Sequence, residues 1–243
     1  MEHNPLEHFQ LYKLFDLHLF GIDISINKAV LMMWLVCIMV VLFFLAAGRA
    51  VKLIPTRIQS LAEIAMDFLK NMVMENMGEE GLKFIPFVAT LFFFILFSNL
   101  LGLIPGLYTV TSQLIVTAAF AGIVYLISLV VGFIYHGFGF LHILVPPGTP
   151  GWLLPLMIPI EIVSQLARPV SLAVRLFANM TAGHTVLGVL LGMAISLGFL
   201  IGWLPFGFSV AINLLEVGIA FIQAYIFTIL TTVYLGDAIK MHH

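Results

Sequence analysis

The stretch Ile158–Ala182 reads IPIEIVSQLARPVSLAVRLFANMTA and sets Glu161, Arg168 and Arg175 inside a long apolar run. At about 3.6 residues per helical turn, positions seven apart return to nearly one face, so the three form a stripe. Gln165 and Asn179 fall on or beside it. In a bilayer each such charge costs from about 3 to well over 10 kcal/mol, and where charges persist they mark a pathway.

Composition supplies the bilayer. Of 243 residues 62% are apolar and 9% charged, with a mean hydropathy of +1.14; soluble chains are about 45–50% apolar and 25% charged. The expected fold is therefore an all-α polytopic membrane protein, a single membrane domain over residues 1–243. A net charge of −2 with singly scattered basic residues gives no support for a nucleic-acid partner. The lone Cys37 cannot form an internal disulfide and is expected to be a buried, inert thiol. Phosphate-binding glycine loops, paired Cys/His metal spacings and nucleophile elbows are absent from the sequence. No metal, cofactor or covalent chemistry is assigned to this chain, and any enzymatic step it serves belongs on another subunit.

Working outward, residues 1–28 carry Glu2, Glu7, Lys13, Asp16, Asp23 and Lys28 and read as an arm outside the hydrocarbon, on the outer face. The apolar run 29–47 has the length of a first transmembrane helix and is followed by positive charge. That disfavours a signal peptide cleaved near LAAGRA. Arg49, Lys52, Arg57, Lys70 and Lys83 are half of the ten basic residues, so this segment is expected in the cytoplasm and the N-terminus outside. Within 57–77, Ile58, Leu61, Ile64, Ala65, Phe68 and Met72 recur at helical spacing opposite Glu63, Asp67, Lys70 and Asn71, the pattern of an interfacial amphipathic helix.

Runs 84–105 and 111–135 are the next two spans, the first closed by Pro105 and Gly106. His136 and His142 fall in a Pro/Gly-rich loop up to Trp152 and read as ordinary loop histidines. Run 153–199 contains Pro155, Pro159 and Pro169 and exceeds the roughly 30 Å hydrocarbon about twofold, so it must tilt, bend or leave the bilayer. A turn at Gly202–Phe208 and a last helix at 209–235 complete five crossings, with the C-terminus inside.

Folding the last two helices into an antiparallel hairpin about residue 200 brings His184 level with Glu216, and Arg175 nearly level with Gln223 and Tyr225. The two levels lie roughly 13 Å apart by helical rise, and Glu161 about 20 Å from Arg175 on the inward side. Structural alternatives stand beside each functional reading. Arg168 next to Pro169 is equally compatible with capping carbonyls freed by the proline, with snorkelling and with a channel role. Glu161 suits a helix start, His184 alone suits packing, and Gln223 and Asn179 suit interhelical hydrogen bonding. Arg175 has no oppositely charged partner within a turn of its own helix, which points to a counter-ion on another chain. Gly183, Gly188, Gly192, Gly198 and Gly202 suit close helix packing.

Three motifs carry a resemblance. RPVSLAVRLFANMTAGH (Arg168–His184), SNLLGLIPG (Ser98–Gly106) and IQAYIFTILTTVYL (Ile222–Leu235) resemble, in order and spacing, subunit a of F-type rotary ATP synthases. The likeness runs from about Arg57 onward. It implies a stator beside a ring of c subunits, b-type peripheral-stalk partners, a bacterial inner membrane and two aqueous half-channels that do not meet. Arg175 matches the arginine that faces the ring carboxylate and divides the channels. Asn179, His184, Glu216 and Gln223 match the outer half-channel and its junction, and Glu161 the inner one. Many relatives carry an acid at the His184 position and a histidine at the Glu216 position; the exchange here supports contact between the two. A proton-coupled secondary transporter is the alternative reading, yet the internal repeats expected of that class are not evident. A non-conducting scaffold is a third.

Overall fold

The computed structural model describes residues 13–15, 18–19, 22–23, 26–48, 56–104, 109–144 and 153–240. Glu2, Glu7, Asp16, Arg49, Lys52, the Pro105–Gly106 stop, residues 145–152 of the Pro/Gly-rich loop, the His142 side chain and His242–His243 lie outside what is described. The described residues form seven α-helices: α1 (Lys28–Gly48), α2 (Arg57–Met77), α3 (Ile85–Gly102), α4 (Leu114–His136), α5 (Leu154–Ser196), α6 (Gly198–Ile201) and α7 (Trp203–Ile239). With the 3-10 turns that flank α3 and α4, five of these helices are long and apolar enough to cross a bilayer. The protein is an all-α polytopic membrane protein, because a lipid-exposed segment must satisfy its own backbone hydrogen bonds. The exception is the arm, where β1 (Lys13–Phe15) pairs antiparallel with β4 (Ile26–Asn27), and β2 (His18–Leu19) with β3 (Ile22–Asp23).

Three expectations need correction. Cys37 is exposed on α1, not buried; a first span that presents apolar side chains to lipid has no reason to hide a thiol. Residues 203–208 are helical, so the turn falls earlier, at Leu197–Gly202. Pro205 is tolerated because it sits in the first turn of α7, where its missing N–H has no intrahelical partner. Gly198, at φ +66°, supplies the left-handed residue, and a Cβ at Gly202 would fall on the carbonyl oxygen of Ala194. The apolar residues of α2 divide between two faces: Ala62, Leu69, Met72, Val73 and Met77 are buried, whereas Ile58, Leu61, Ile64 and Phe68 are exposed.

Packing divides the chain into two compact units, each taken on its own. The first comprises residues 1–51, 93–113 and 176–224, the second 52–92, 114–175 and 225–243. In the first, α1 meets α3 through aromatic rings: Phe44 stands edge-on to Phe93 with centroids 4.9 Å apart, and Phe43 lies 5.4 Å from Phe93. Dispersion and ring geometry hold such contacts where lipid offers no hydrophobic contrast. The later part of α5 meets α7 at Met180 and Ala220, together with Leu103. That pairing is the one expected of a hairpin folded near residue 200.

In the second unit, α2 begins on Thr56, whose hydroxyl accepts from Gln59 N–H, and ends at Gly78, φ +74°. Lys240 Nζ donates to the Asn76 carbonyl at 3.3 Å. A Cβ at Gly236 would come within 2.7 Å of the same oxygen, so the end of α7 approaches α2 closely. Gly132 on α4 is filled by the ring of Phe140, which packs where a Cβ would stand. α5 runs unbroken for 43 residues through Pro159 and Pro169, about 65 Å by helical rise.

Candidate functional site

Within the first unit, polar side chains gather where α3, α5 and α7 carry mostly apolar residues. Ser98 and Asn99 are 1% and 0% exposed near the end of α3. Asn99 Oδ1 accepts from Thr111 Oγ1 at 2.9 Å. Thr109 opens the fully buried segment Thr109–Ser112, and its hydroxyl reaches His184 Nε2 at 2.5 Å. This segment, an extended residue followed by a 3-10 turn, satisfies groups internally: Ser112 Oγ donates to the Thr109 carbonyl at 2.7 Å.

Glu216 on α7 is buried, and neither carboxylate oxygen has a hydrogen-bond partner among the described residues. Its carboxylate lies directly against Gly183, in the space a Cβ would take. His184 is thus one residue from the acid, but no hydrogen bond joins them: the imidazole is held by Thr109 instead. The contact that the reciprocal exchange suggested is approached in this form, the Glu216 carboxylate lying against the neighbour of His184. The helical register explains it, since adjacent residues on α5 point about 100° apart and only the side-chain-free Gly183 faces α7 closely enough. Ser98 Oγ, Asn99 Nδ2 and Thr181 Oγ1 are likewise buried and unpartnered. Buried polar atoms are nearly always satisfied, by protein groups or by ordered water. Gln223 is buried and Asn179 half-buried in the same unit.

The second unit treats its charges differently. Arg168 Nη1 bonds Asp237 Oδ2 at 3.4 Å, and the guanidinium lies 5.5 Å from the ring centroid of Tyr234. Gln165 Nε2 donates to Glu161 Oε1 at 2.9 Å, one turn away on α5. Ser128 Oγ donates to the Tyr234 carbonyl at 3.0 Å. Arg168, Asp237, Gln165, Tyr234, Tyr125 and Ser128 help to line a largely apolar cavity of about 240 Å³. Of the readings open for Arg168, pairing with a carboxylate from α7 was not among them. His136 Nε2 contacts the Ile239 carbonyl at 3.1 Å. Arg175, also in this unit, is exposed and forms neither a hydrogen bond nor an ion pair among the described residues. Among those residues no group of His, Cys, Asp and Glu is placed to hold a metal ion.

A family model described as ATP synthase A chain matches residues 30–236. The ATP synthase subunit a of Acidiphilium cryptum (strain JF-5) is 49% identical over 246 aligned positions, covering 98% of this chain and 97% of the relative. That of Pelagibacter ubique (strain HTCC1062) is 43% identical over 244, covering 100% of both. The chain belongs to the ATP synthase subunit a family. It is accordingly a membrane-embedded subunit of the F-type ATP synthase complex, with a part in proton transport. Residues 98–112, α5 and α7 as far as residue 236 fall inside the matched span, and Asp237 lies just beyond it.

Asn99, Thr109, Thr111 and Asp237 escaped attention as sequence. Asn99 had a signal, an amide inside the apolar run of α3. Asp237 and Thr109 had none, since each lies near a helix end or loop where a polar residue is ordinary.

Proposed function

We propose that this chain is the stator through which protons reach and leave the carboxylates of a c-subunit ring, by two half-channels separated at Arg175. The observation that carries this is Arg175 itself, an arginine on a helix long and apolar enough to cross a membrane, which is exposed and has no ion pair among the described residues. Left alone in hydrocarbon it would cost from about 3 to more than 10 kcal/mol. A carboxylate on a neighbouring chain removes that penalty, and only a side chain that never deprotonates keeps doing so as the neighbour turns.

On this reading His184 and Glu216 form the outer entry, His184 exchanging protons near neutral pH as imidazole does. The proton neutralises a ring carboxylate, which then rotates into lipid. Asn179 and Gln223 offer hydrogen bonds along the junction. On the inner side Glu161 receives the proton released as the carboxylate returns toward Arg175. Arg168, occupied with Asp237, holds helices together. A transmembrane potential supplies about 2.3 kcal/mol per proton per 100 mV, so several protons serve each ATP. The remaining assignments follow: b-type stalk subunits as further partners, a bacterial inner membrane, the N-terminus outside and the C-terminus cytoplasmic. Protons rather than sodium are the transported ion, because His184 relays protons and adds no oxygen ligand for a hard cation; pumping by the purified complex at negligible sodium checks this.

The decisive experiment is Arg175→Gln in the assembled synthase. Proton-driven ATP synthesis should vanish while the subunit remains in the complex at normal abundance. Retained coupling would overturn the stator reading.

A further inference from the structure

The cavity of about 240 Å³ in the second unit is walled by α4, α5 and α7, and its polar and apolar parts are separated. On the walls, polar groups are engaged: Ser128 Oγ donates to the Tyr234 carbonyl and Gln165 Nε2 to Glu161. Phe133, Ile162 and Leu166 form an apolar rim turned outward, 44%, 42% and 53% exposed. On helices long and apolar enough to cross a bilayer, such a rim faces hydrocarbon. At the polar end stands the Arg168–Asp237 pair. Its 3.4 Å contact is longer than the roughly 2.7–2.9 Å of a well-formed bond between charged groups. The single contact leaves most of the guanidinium N–H donors and Asp237 Oδ1 with capacity to spare among the described residues. Asp237 lies in the last turn of α7, with the amphipathic ring of Tyr234 one turn earlier, which suits the level where hydrocarbon gives way to headgroups.

We propose that this cavity is a phospholipid site, taking one acyl chain between α4 and α5 and a zwitterionic ethanolamine headgroup at Arg168 and Asp237. Charge complementarity selects the headgroup. The phosphodiester accepts from the Arg168 guanidinium, whose planar fork suits phosphate, and the ammonium donates to the Asp237 carboxylate. Opposite charges side by side match a headgroup that itself carries both. An anionic glycerol headgroup meets Arg168 equally well but brings its charge against Asp237. A choline headgroup has no N–H to offer the carboxylate. An unbranched chain enters sideways past Phe133 and Leu166 and leaves no polar atom in the apolar part of the cavity, as the cost of burying an unbonded polar group requires. Glu161, turned to Gln165, does not line the cavity, so the site is separate from the carboxylate assigned above to the inner proton path.

The test uses the intact synthase in phosphatidylcholine nanodiscs that contain a trace of phospholipid with a photoactivatable acyl chain, its headgroup ethanolamine, choline or glycerol. Labelled positions on this chain are read by peptide mass spectrometry and normalised to label on its other apolar faces. The ethanolamine probe should label Leu129, Phe133, Ile162 or Leu166 about tenfold more than either other probe, the value of one hydrogen bond to a charged group. Asp237→Asn should bring the ethanolamine probe down to the choline level. Leu166→Trp, which narrows the rim and leaves the ion pair intact, should remove cavity label for all three probes and carries the test if the Asp237 variant fails to assemble. Equal labelling by the three headgroups would mean bulk lipid only, and a preference for the glycerol probe an anionic site. Absence of cavity label while other faces are labelled would mean that a protein partner covers the mouth. Each of these, or selectivity that survives Asp237→Asn, would overturn the proposal.

Discussion

Glu216 and Asp237 are carboxylates of the same helix in different surroundings. Glu216 is buried with both oxygens unpartnered, whereas Asp237 is half-exposed and meets Arg168. A similar tendency runs through the units, with Gln59 Oε1 and Arg175 as exceptions in the second. In the first, Ser98, Asn99, Thr181 and Glu216 all leave buried polar atoms unsatisfied. In the second, Arg168, Glu161 and Lys83 each find a side-chain partner, Lys83 Nζ meeting the Tyr135 hydroxyl at 2.6 Å. Satisfied polar groups explain themselves as architecture. Buried groups that forgo a partner carry a standing penalty of about 1–3 kcal/mol each, and that penalty is retained where the group has to exchange something.

Glu216→Gln offers the harshest way to break this contrast. If Glu216 moves protons as proposed, the substitution should lower proton-driven ATP synthesis about a hundredfold, with assembly unchanged, whereas Asp237→Asn should not. Equal losses in the two would erase the distinction. Next comes Gly183→Val, which sets side-chain atoms where the Glu216 carboxylate now lies. About a tenfold loss of coupling per complex is expected, since relay geometry is sensitive to displacements of about 1 Å, and Gly183→Ala should fall between it and the parent.

A packing change in the second unit should act through a different quantity. Gly132→Val drives side-chain atoms into Phe140, at a cost of about 1–3 kcal/mol. Fewer complexes should accumulate, measured by immunoblot of membranes, while ATP made per assembled complex stays constant. Arg168→Gln is the smallest. Its ion pair is 36% and 51% exposed at the two side chains, and pairs of that kind contribute at most about 1 kcal/mol. Detergent inactivation should shift slightly and coupling by less than about twofold; a larger loss of coupling would move Arg168 from the paired group into the proton path.

Much of this was legible in the residues alone. Apolar runs of the required length announced the spans, and Thr56 and Gly78 bracket an amphipathic helix whose periodicity was plain. The run 153–199 had to be overlong for one crossing, and α5 is one helix of 43 residues. The hairpin register also followed from counting, since both helices rise by the same amount per residue, and Met180 meets Ala220. Counting does not resolve the next level of detail. It set His184 opposite Glu216, where a one-residue step puts Gly183 against the acid and turns the imidazole to Thr109.

Sequence by itself determined that this chain lives in a bilayer, how many helices can cross it and which charges are anomalous there, because hydrocarbon imposes length and composition on every segment it touches. Only the tertiary structure decided which anomalies are resolved. Arg168 and Asp237 are 69 residues apart and Thr109 and His184 are 75 apart. Contacts of that kind depend on how closely backbones approach, at glycines 102 and 183 above all. Periodicity records the face of a helix, not what another element brings to it.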